Sequence, residues 1–245
     1  MKKILSISNS FGVDATRYLY GVARSEGEKV KVVTLYIGAC SLYRHYRNML
    51  SEDAVYDYYI NGFGTGLKVS MKQALLMDEW DVVALQESGS GKIIGEGYTP
   101  FIEPLAEYVR KLVPCADLYV HSTWAYSDAK IPVSSFESRA EMLESKRVND
   151  PAAVKLINAK GLLPSSDAMN ALVDTVGDLV AFRDGYHANA GMGRYMLACV
   201  WFGALFGKDM TENKFRDFDV PTTEEEARLA AKLATDAIRK WGYIK

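Results

Sequence analysis

Lys3-Ile4-Leu5-Ser6-Ile7-Ser8-Asn9-Ser10-Phe11 reads as a short apolar strand that ends in a polar Ser-Asn-Ser step. A secretory leader needs a longer apolar segment and a small-residue cleavage site, and Ser8-Asn9-Ser10 interrupts the run too soon for either. A first β-strand over Lys3–Ser8 is therefore expected, followed by a helix that begins around Val13 or Asp14 and runs to Ser25. Further along, short apolar runs alternate with helix-length amphipathic segments, the pattern of βαβ units on a mostly parallel sheet. Strands are expected at Lys29–Tyr36, Asp81–Gln86, Asp117–Ser122 and near Gly161–Leu163. Helices are expected at Met71–Met77, Ile102–Leu112, Glu137–Ala159, Gly191–Phe206 and Thr222–Trp241. The last opens on Thr222-Thr223-Glu224-Glu225-Glu226, where acidic residues suit the positive end of the helix dipole. The fold expected is α/β: a three-layer α/β/α sandwich, flavodoxin-like, with a mostly parallel sheet of about five strands and one domain over residues 1–245.

Three connecting segments lie near the carboxyl ends of strands, where open α/β sheets bind ligands. Tyr56–Gly66, rich in Tyr and Gly, reads as a loop or small hairpin. Ser88–Gly97 is a Gly-rich loop after the third strand, and Trp124–Ser135 follows the fourth. No internal repeat, low-complexity segment or linker interrupts the chain.

With 49% hydrophobic residues the chain can bury a large core, and 29 basic against 31 acidic residues leave no basic footprint for nucleic acid. No apolar stretch approaches the roughly 20 residues that span a bilayer, so no membrane association is expected. Cys40, Cys115 and Cys199 are widely spaced and odd in number, which points to buried free thiols rather than a disulfide framework or metal site. A cytoplasmic location is expected of the sequence as it stands, and an exported one if a leader has been removed.

The chemistry concentrates in Asp184-Gly185-Tyr186-His187. An Asp three residues before a His can hold the imidazole in one tautomer through Nδ1–H, leaving the other ring nitrogen to take a proton from a hydroxyl. Ser10, at the tip of the first strand and ahead of a helix, offers that hydroxyl together with backbone N–H groups suited to an oxyanion. An ordinary helix-capping serine and an Asp-Gly turn are the plain alternatives. The other two histidines, His45 on a helix face and His121 at the end of an apolar strand, read as structural.

Four segments in order resemble the SGNH (GDSL-like) hydrolases. Ile4–Phe11 is similar to their first block, closest to a branch with a Gly-Asn-Ser-Phe-Ser type start. Leu35-Tyr36-Ile37-Gly38-Ala39-Cys40-Ser41-Leu42 resembles the second block, which supplies an oxyanion-hole glycine. His121–Tyr126 resembles a further segment of the branch. Arg183–His187 with Gly193-Arg194-Tyr195 resembles the last block. The likeness runs from about Lys3 to Gly207 and implies the SGNH fold, Ser10 as nucleophile, His187 as general base and later acid, and Asp184 as the orienting carboxylate. It implies Ser10 N–H and Gly38 N–H as two oxyanion donors. The third donor of the family is an Asn side chain, whereas this chain has Leu85-Gln86-Glu87-Ser88 at the equivalent strand end. Gln86, with the same amide on a longer arm, is the expected substitute. Ser8 stands where the family usually has Gly.

The substrate expected is a small-molecule or carbohydrate ester with a short acyl group such as acetyl, and no cofactor or metal is called for. Tyr43, His45, Ser88, Trp124 and Tyr126 are candidate substrate contacts, part of an aromatic set that also includes Tyr46, Tyr56, Tyr58, Tyr59 and Phe63. Packing inside the loops is the plain reading of the aromatics. Two rival functions stay open: a flavin- or nucleotide-binding module with Ser8-x-Ser10-x-Gly12 as its phosphate loop, and a non-catalytic carbohydrate-binding protein on the same fold. Against the first, Asp14 would repel a phosphate and Asp184 and His187 would be idle.

Overall fold

The computed structural model of the chain describes residues 1–89 and 98–245. The strand that opens the chain, β1 (Lys2–Ser8), sends successive side chains to opposite faces, so Ile4 joins one apolar cluster and Leu5 and Ile7 another. The same division recurs along β2 (Val30–Tyr36), β5 (Val82–Leu85) and β6 (Asp117–His121), as between Val32 and Val33 or Val82 and Val83. A sheet buried on both faces gives near-continuous apolar runs, which is why these strands stand out in the sequence.

Among the described residues the sheet has seven strands, with β3 (Tyr56–Ile60), β4 (Phe63–Val69) and β7 (Gly161–Leu163) completing the order β4-β3-β2-β1-β5-β6-β7. About five strands were expected, and that number describes the parallel portion β2-β1-β5-β6-β7. The Tyr56–Gly66 segment adds an antiparallel hairpin on the outer edge of β2. Its two-residue turn, Asn61-Gly62, has φ of 50° and 86°, the left-handed pair that lets a tight turn follow the twist of its strands.

Helices cover both faces. On one side lie α1 (Ser10–Thr16), α2 (Leu19–Ser25), α7 (Ser165–Val176), α9 (Met192–Phe206) and α10 (Glu224–Lys240), and on the other α3 (Leu42–Ser51), α4 (Met71–Leu76) and α5 (Ile102–Leu112). The long α6 (Arg139–Leu156) contributes Met142 to the first cluster and Ala153 to the second, and the short α8 (Asp178–Ala181) contributes Ala181 to the first. Helix α9 is apolar nearly all round and buried along almost its whole length, as such a helix must be. Helix α10 starts at a capping box in which Thr223 and Glu226 bond each other's backbone N–H.

The helix expected over Asp14–Ser25 is two helices, and the first starts earlier. Asn9 is extended and its side chain accepts the Phe11 N–H, so α1 begins at Ser10. Tyr18 interrupts the continuation at φ −108°, ψ 0°, held by its hydroxyl, which donates to Ala190 O at 2.7 Å and accepts from Asp219 N at 2.7 Å. No element was expected over α7 and α8. Of the Gly-rich loop over Ser88–Gly97, residues 90–97 lie outside the described residues. Cys40 and Cys199 are buried free thiols, but Cys115 is exposed in the turn after α5. No described helix is long and apolar enough to cross a membrane.

The register Ser8↔Tyr36 and Ile7↔Leu85 brings the carboxyl ends of β1, β2 and β5 side by side. Strand order reverses at β1, with β2 on one flank and β5 on the other, so Ser10 stands at the crevice where such sheets bind ligands.

Candidate active site

Ser10 is half-buried at the first position of α1, and the imidazole of His187 reaches it from the loop before α9. His187 Nε2 lies 2.8 Å from Ser10 Oγ, and its Nδ1 lies 2.6 Å from Asp184 Oδ2. The three-residue spacing has a local cause. Asp184 Oδ1 accepts the main-chain N–H of His187 at 2.8 Å and of Tyr186 at 3.3 Å, so one carboxylate holds both the backbone and the ring of His187. A carboxylate only accepts, so the proton between it and the ring belongs to Nδ1, and Nε2 is left to accept from the serine hydroxyl. Burial pushes the Asp184 carboxyl up, but the bonds from the His187 ring and the two backbone N–H groups outweigh it and hold the group below its ordinary range. Gly185 has φ of 89°, and a Cβ there would lie 2.5 Å from Lys130 Cγ and 2.7 Å from Ser127 Oγ. Only glycine fits that turn.

The loop is fastened from below by a residue whose part the sequence did not disclose. Asp14, fully buried one turn into α1, accepts from Arg183 at 3.0 Å, Arg194 Nε at 2.8 Å and the Ala188 N–H at 3.2 Å. Arg194 continues to Asp219, which also takes the Arg17 guanidinium. The negative charge that was expected to repel a phosphate is therefore neutralised inside the protein and binds the His187 loop to α1. Ser8 is likewise buried against Gly12, with its hydroxyl turned to Leu35 O at 3.5 Å, so Ser8 and Gly12 do not form an open phosphate cradle.

On the other side of Ser10 a buried chain of side chains fixes Asn9. The Oδ1 of Asn9 already accepts from Phe11 N at 3.0 Å, so the amide group of Gln86 facing it at 2.6 Å is the NH2. Gln86 Oε1 then faces His121 Nδ1 at 2.9 Å and accepts its proton, and His121 Nε2 accepts from Ser165 Oγ at 3.0 Å. Burial pushes the His121 imidazole down to about 3, so it is neutral and single-tautomer, as these bonds require. Asn9 Nδ2 donates to Cys40 O at 3.1 Å, which ties the chain to the Ile37–Cys40 turn that carries Gly38. Gln86, expected as the third oxyanion donor, is instead 1% exposed, with one amide N–H on Asn9 and its oxygen on His121, so that it holds Asn9 in place. Among the described residues the N–H groups of Ser10 and Gly38 have no hydrogen-bond partner.

The candidate substrate contacts divide. His45 is buried, with Nδ1 2.9 Å from Tyr56 OH, and burial pushes it down to about 3; it belongs to the core under α3, not to a binding surface. Trp124 is buried too, stacked on Phe11 at 4.3 Å and donating from Nε1 to Tyr186 O at 2.7 Å, so it supports the His187 loop. Tyr126 is buried beside Phe11 and Tyr186, and Tyr43 is half-buried on Phe101 at 5.1 Å. Ser88 lines a polar cavity after β5 with Glu87, Lys146 and Asp150, charged residues that the sequence did not single out. Lys146 and Asp150 stand four apart on α6, a same-face spacing that was the available signal.

The whole chain is similar to a DUF4886 family protein from Bacteroides uniformis, at TM-score 0.87 and 28% identity over 100% of this chain and 97% of that one. A chain from Slackia heliotrinireducens, provisionally described as an SGNH hydrolase, matches at TM-score 0.56 and 18% identity over 83% of this chain and 98% of that one. A carbohydrate esterase family 3 protein from Talaromyces cellulolyticus matches at 0.54 and 13%, over 84% and 96% of the two chains. At such identity the last two show a shared fold, that of the SGNH hydrolases. No curated protein matches in sequence. The model of a domain of unknown function, DUF4886, matches residues 3–237, and the chain belongs to that family.

Proposed function

We propose that this chain is a serine ester hydrolase that removes a short acyl group, acetyl first among them, from a carbohydrate or another small ester. The observation that carries the reading is the chain of contacts Ser10 Oγ to His187 Nε2 at 2.8 Å and His187 Nδ1 to Asp184 at 2.6 Å. Ser10 Oγ attacks the ester carbonyl as its proton passes to His187 Nε2, and Asp184 stabilises the imidazolium. The oxyanion is met by the N–H groups of Ser10 and Gly38. Collapse breaks the ester C–O bond, and the alcohol leaves with the proton from His187. A water then gives a proton to His187 and attacks the acyl-Ser10, releasing the acid and restoring the serine hydroxyl. A site with two oxyanion donors in place of three is expected to turn over about 10²–10³-fold more slowly. The similarity in fold to a carbohydrate esterase supports the sugar ester as the first substrate to try.

The test is hydrolysis of p-nitrophenyl acetate by wild type and Ser10→Ala, with fluorophosphonate labelling of both and circular dichroism as the check on folding. Hydrolysis and labelling lost together in the variant are expected. Equal rates in the two proteins refute the assignment of Ser10.

A further inference from the structure

Beyond the triad, the segment after the carboxyl end of β5, the Ser135–Phe136 step and the facing side of α6 line a cavity of about 200 Å³. Three ionisable side chains meet there: Glu87 (9% exposed), Asp150 (3% exposed) and Lys146. Buried charges are normally paired, yet among the described residues none of these three forms an ion pair. Asp150 accepts from Tyr98 OH at 2.9 Å and from Ser122 Oγ. Glu87 accepts from the backbone N–H of Leu42 at 3.4 Å and of Ser88. Lys146 has one described partner, Thr123 Oγ1 at 2.9 Å, for an ammonium that carries three donors. The two carboxyls and the ammonium influence one another across the space rather than in contact.

We propose that this cavity is a subsite for the hydroxyl groups of a neutral polyol, a single sugar ring. The choice of ligand follows from the mixed signs. An anion would face Glu87 and Asp150, and a cation would face Lys146, whereas a hydroxyl donates to a carboxylate and accepts from an ammonium at once. The volume, below the roughly 300 Å³ at which pockets for drug-sized ligands begin, suits one ring rather than a chain. The cavity adjoins both halves of the proposed reaction centre. A Cβ on its residue Gly89 would lie 2.8 Å from the ring of Phe11, the neighbour of Ser10, and Glu87 bonds the first residue of α3, two beyond the Gly38–Cys40 turn. The role of the subsite, to hold the alcohol part of an acylated sugar, rests on the esterase reading.

Binding can be tested without turnover. Unesterified methyl glycosides of glucose, galactose, mannose, xylose and N-acetylglucosamine are titrated into the wild-type protein by calorimetry. Saturable binding of at least one is expected, weakened about tenfold or more in Lys146→Met and in Asn149→Leu, since each removes a polar group from the cavity wall. Lys155→Met, on the exposed face of the same helix, serves as the control and is expected to bind as wild type does. Should Lys146→Met fail to fold, Asn149→Leu carries the comparison. No binding of any glycoside, equal binding by the folded cavity variants, or preference for inorganic phosphate overturns the subsite. If glycosides bind while Ser10→Ala hydrolyses p-nitrophenyl acetate as fast as wild type, the esterase reading falls and the sugar site stands.

Discussion

Asp14→Asn tests the most consequential residue that the sequence left unassigned. The substitution removes the charge at nearly constant volume, so no cavity is created and the effect is electrostatic. Removing one partner of a buried pair costs about 3–5 kcal/mol because the other charge is left unmatched. Two features of this site reduce that figure. Arg194 keeps Asp219 at 3.0 Å, and the Arg183 side chain is 33% exposed, so water can recover part of its solvation. A loss of about 2–3 kcal/mol is expected, read as a lower urea midpoint at unchanged slope. Activity is expected to fall further than stability accounts for. Ala188, whose N–H Asp14 accepts, is the residue after His187, and an imidazole displaced by about 1 Å costs about 10²-fold in rate. The assays are urea unfolding by circular dichroism and p-nitrophenyl acetate turnover on the same preparations. A shift below about 0.5 kcal/mol, or the full loss of stability with turnover intact, refutes the view that Asp14 anchors the loop that carries His187.

Gln86→Leu leaves the buried His121 Nδ1–H without an acceptor, at a cost of about 1–3 kcal/mol, and leaves Asn9 Oδ1 with the Phe11 N–H alone. A lowered unfolding midpoint is therefore expected; a fall in turnover of about 10²–10³ at unchanged stability would instead restore Gln86 to the oxyanion hole. For Glu87, burial raises the carboxyl from its ordinary 4.5 to about 7, so between those values the folded chain keeps a proton that the unfolded chain has released. This group makes stability fall as pH rises through that window and level off above it. Glu87→Gln is expected to remove the slope and to be more stable than wild type at pH above about 7, and parallel pH–stability curves for the two proteins refute the shift.

How far the sequence disclosed the molecule depended on whether the deciding contact was local. The parallel strands were readable because both their faces are buried, and Gly161–Leu163 is found where it was expected. Strand β4 was legible only as part of the loop or small hairpin read over Tyr56–Gly66, because it is exposed along most of its length and so carries no apolar run to mark where it ends. The break between α1 and α2 depends on what the Tyr18 hydroxyl meets 172 and 201 residues away. Within the site, Asp184 and His187 were legible because their geometry is set inside one turn. Gln86 was misread for the opposite reason. The sequence shows an amide at the end of a strand, but its partners His121 and Asn9 lie 35 and 77 residues away and decide which way it faces. Counting aromatics near strand ends likewise cannot separate Trp124, packed on Phe11, from a residue open to substrate.

The placement of the proposed nucleophile follows from these two polar systems together. Helix α1 has seven residues, too few to hold a helical segment in place by its own hydrogen bonds. Its position is set at its ends. In front, Asn9 caps it and is bound to β5 through Gln86 and to the Ile37–Cys40 turn through Cys40 O. Behind, Asp14 is bound to the loop that carries His187 through Arg183 and the Ala188 N–H. The proposed nucleophile, the proposed base and the turn bearing Gly38 therefore come from three distant parts of the chain but are joined through one short helix. Conformational freedom lost in fixing them is met during folding rather than at each turnover, which is the condition a preorganised site requires. Ser10 lies between the two fastenings, so a change that loosens either end moves its hydroxyl relative to a different partner: the Gly38 turn if Asn9 is freed, the His187 imidazole if Asp14 is.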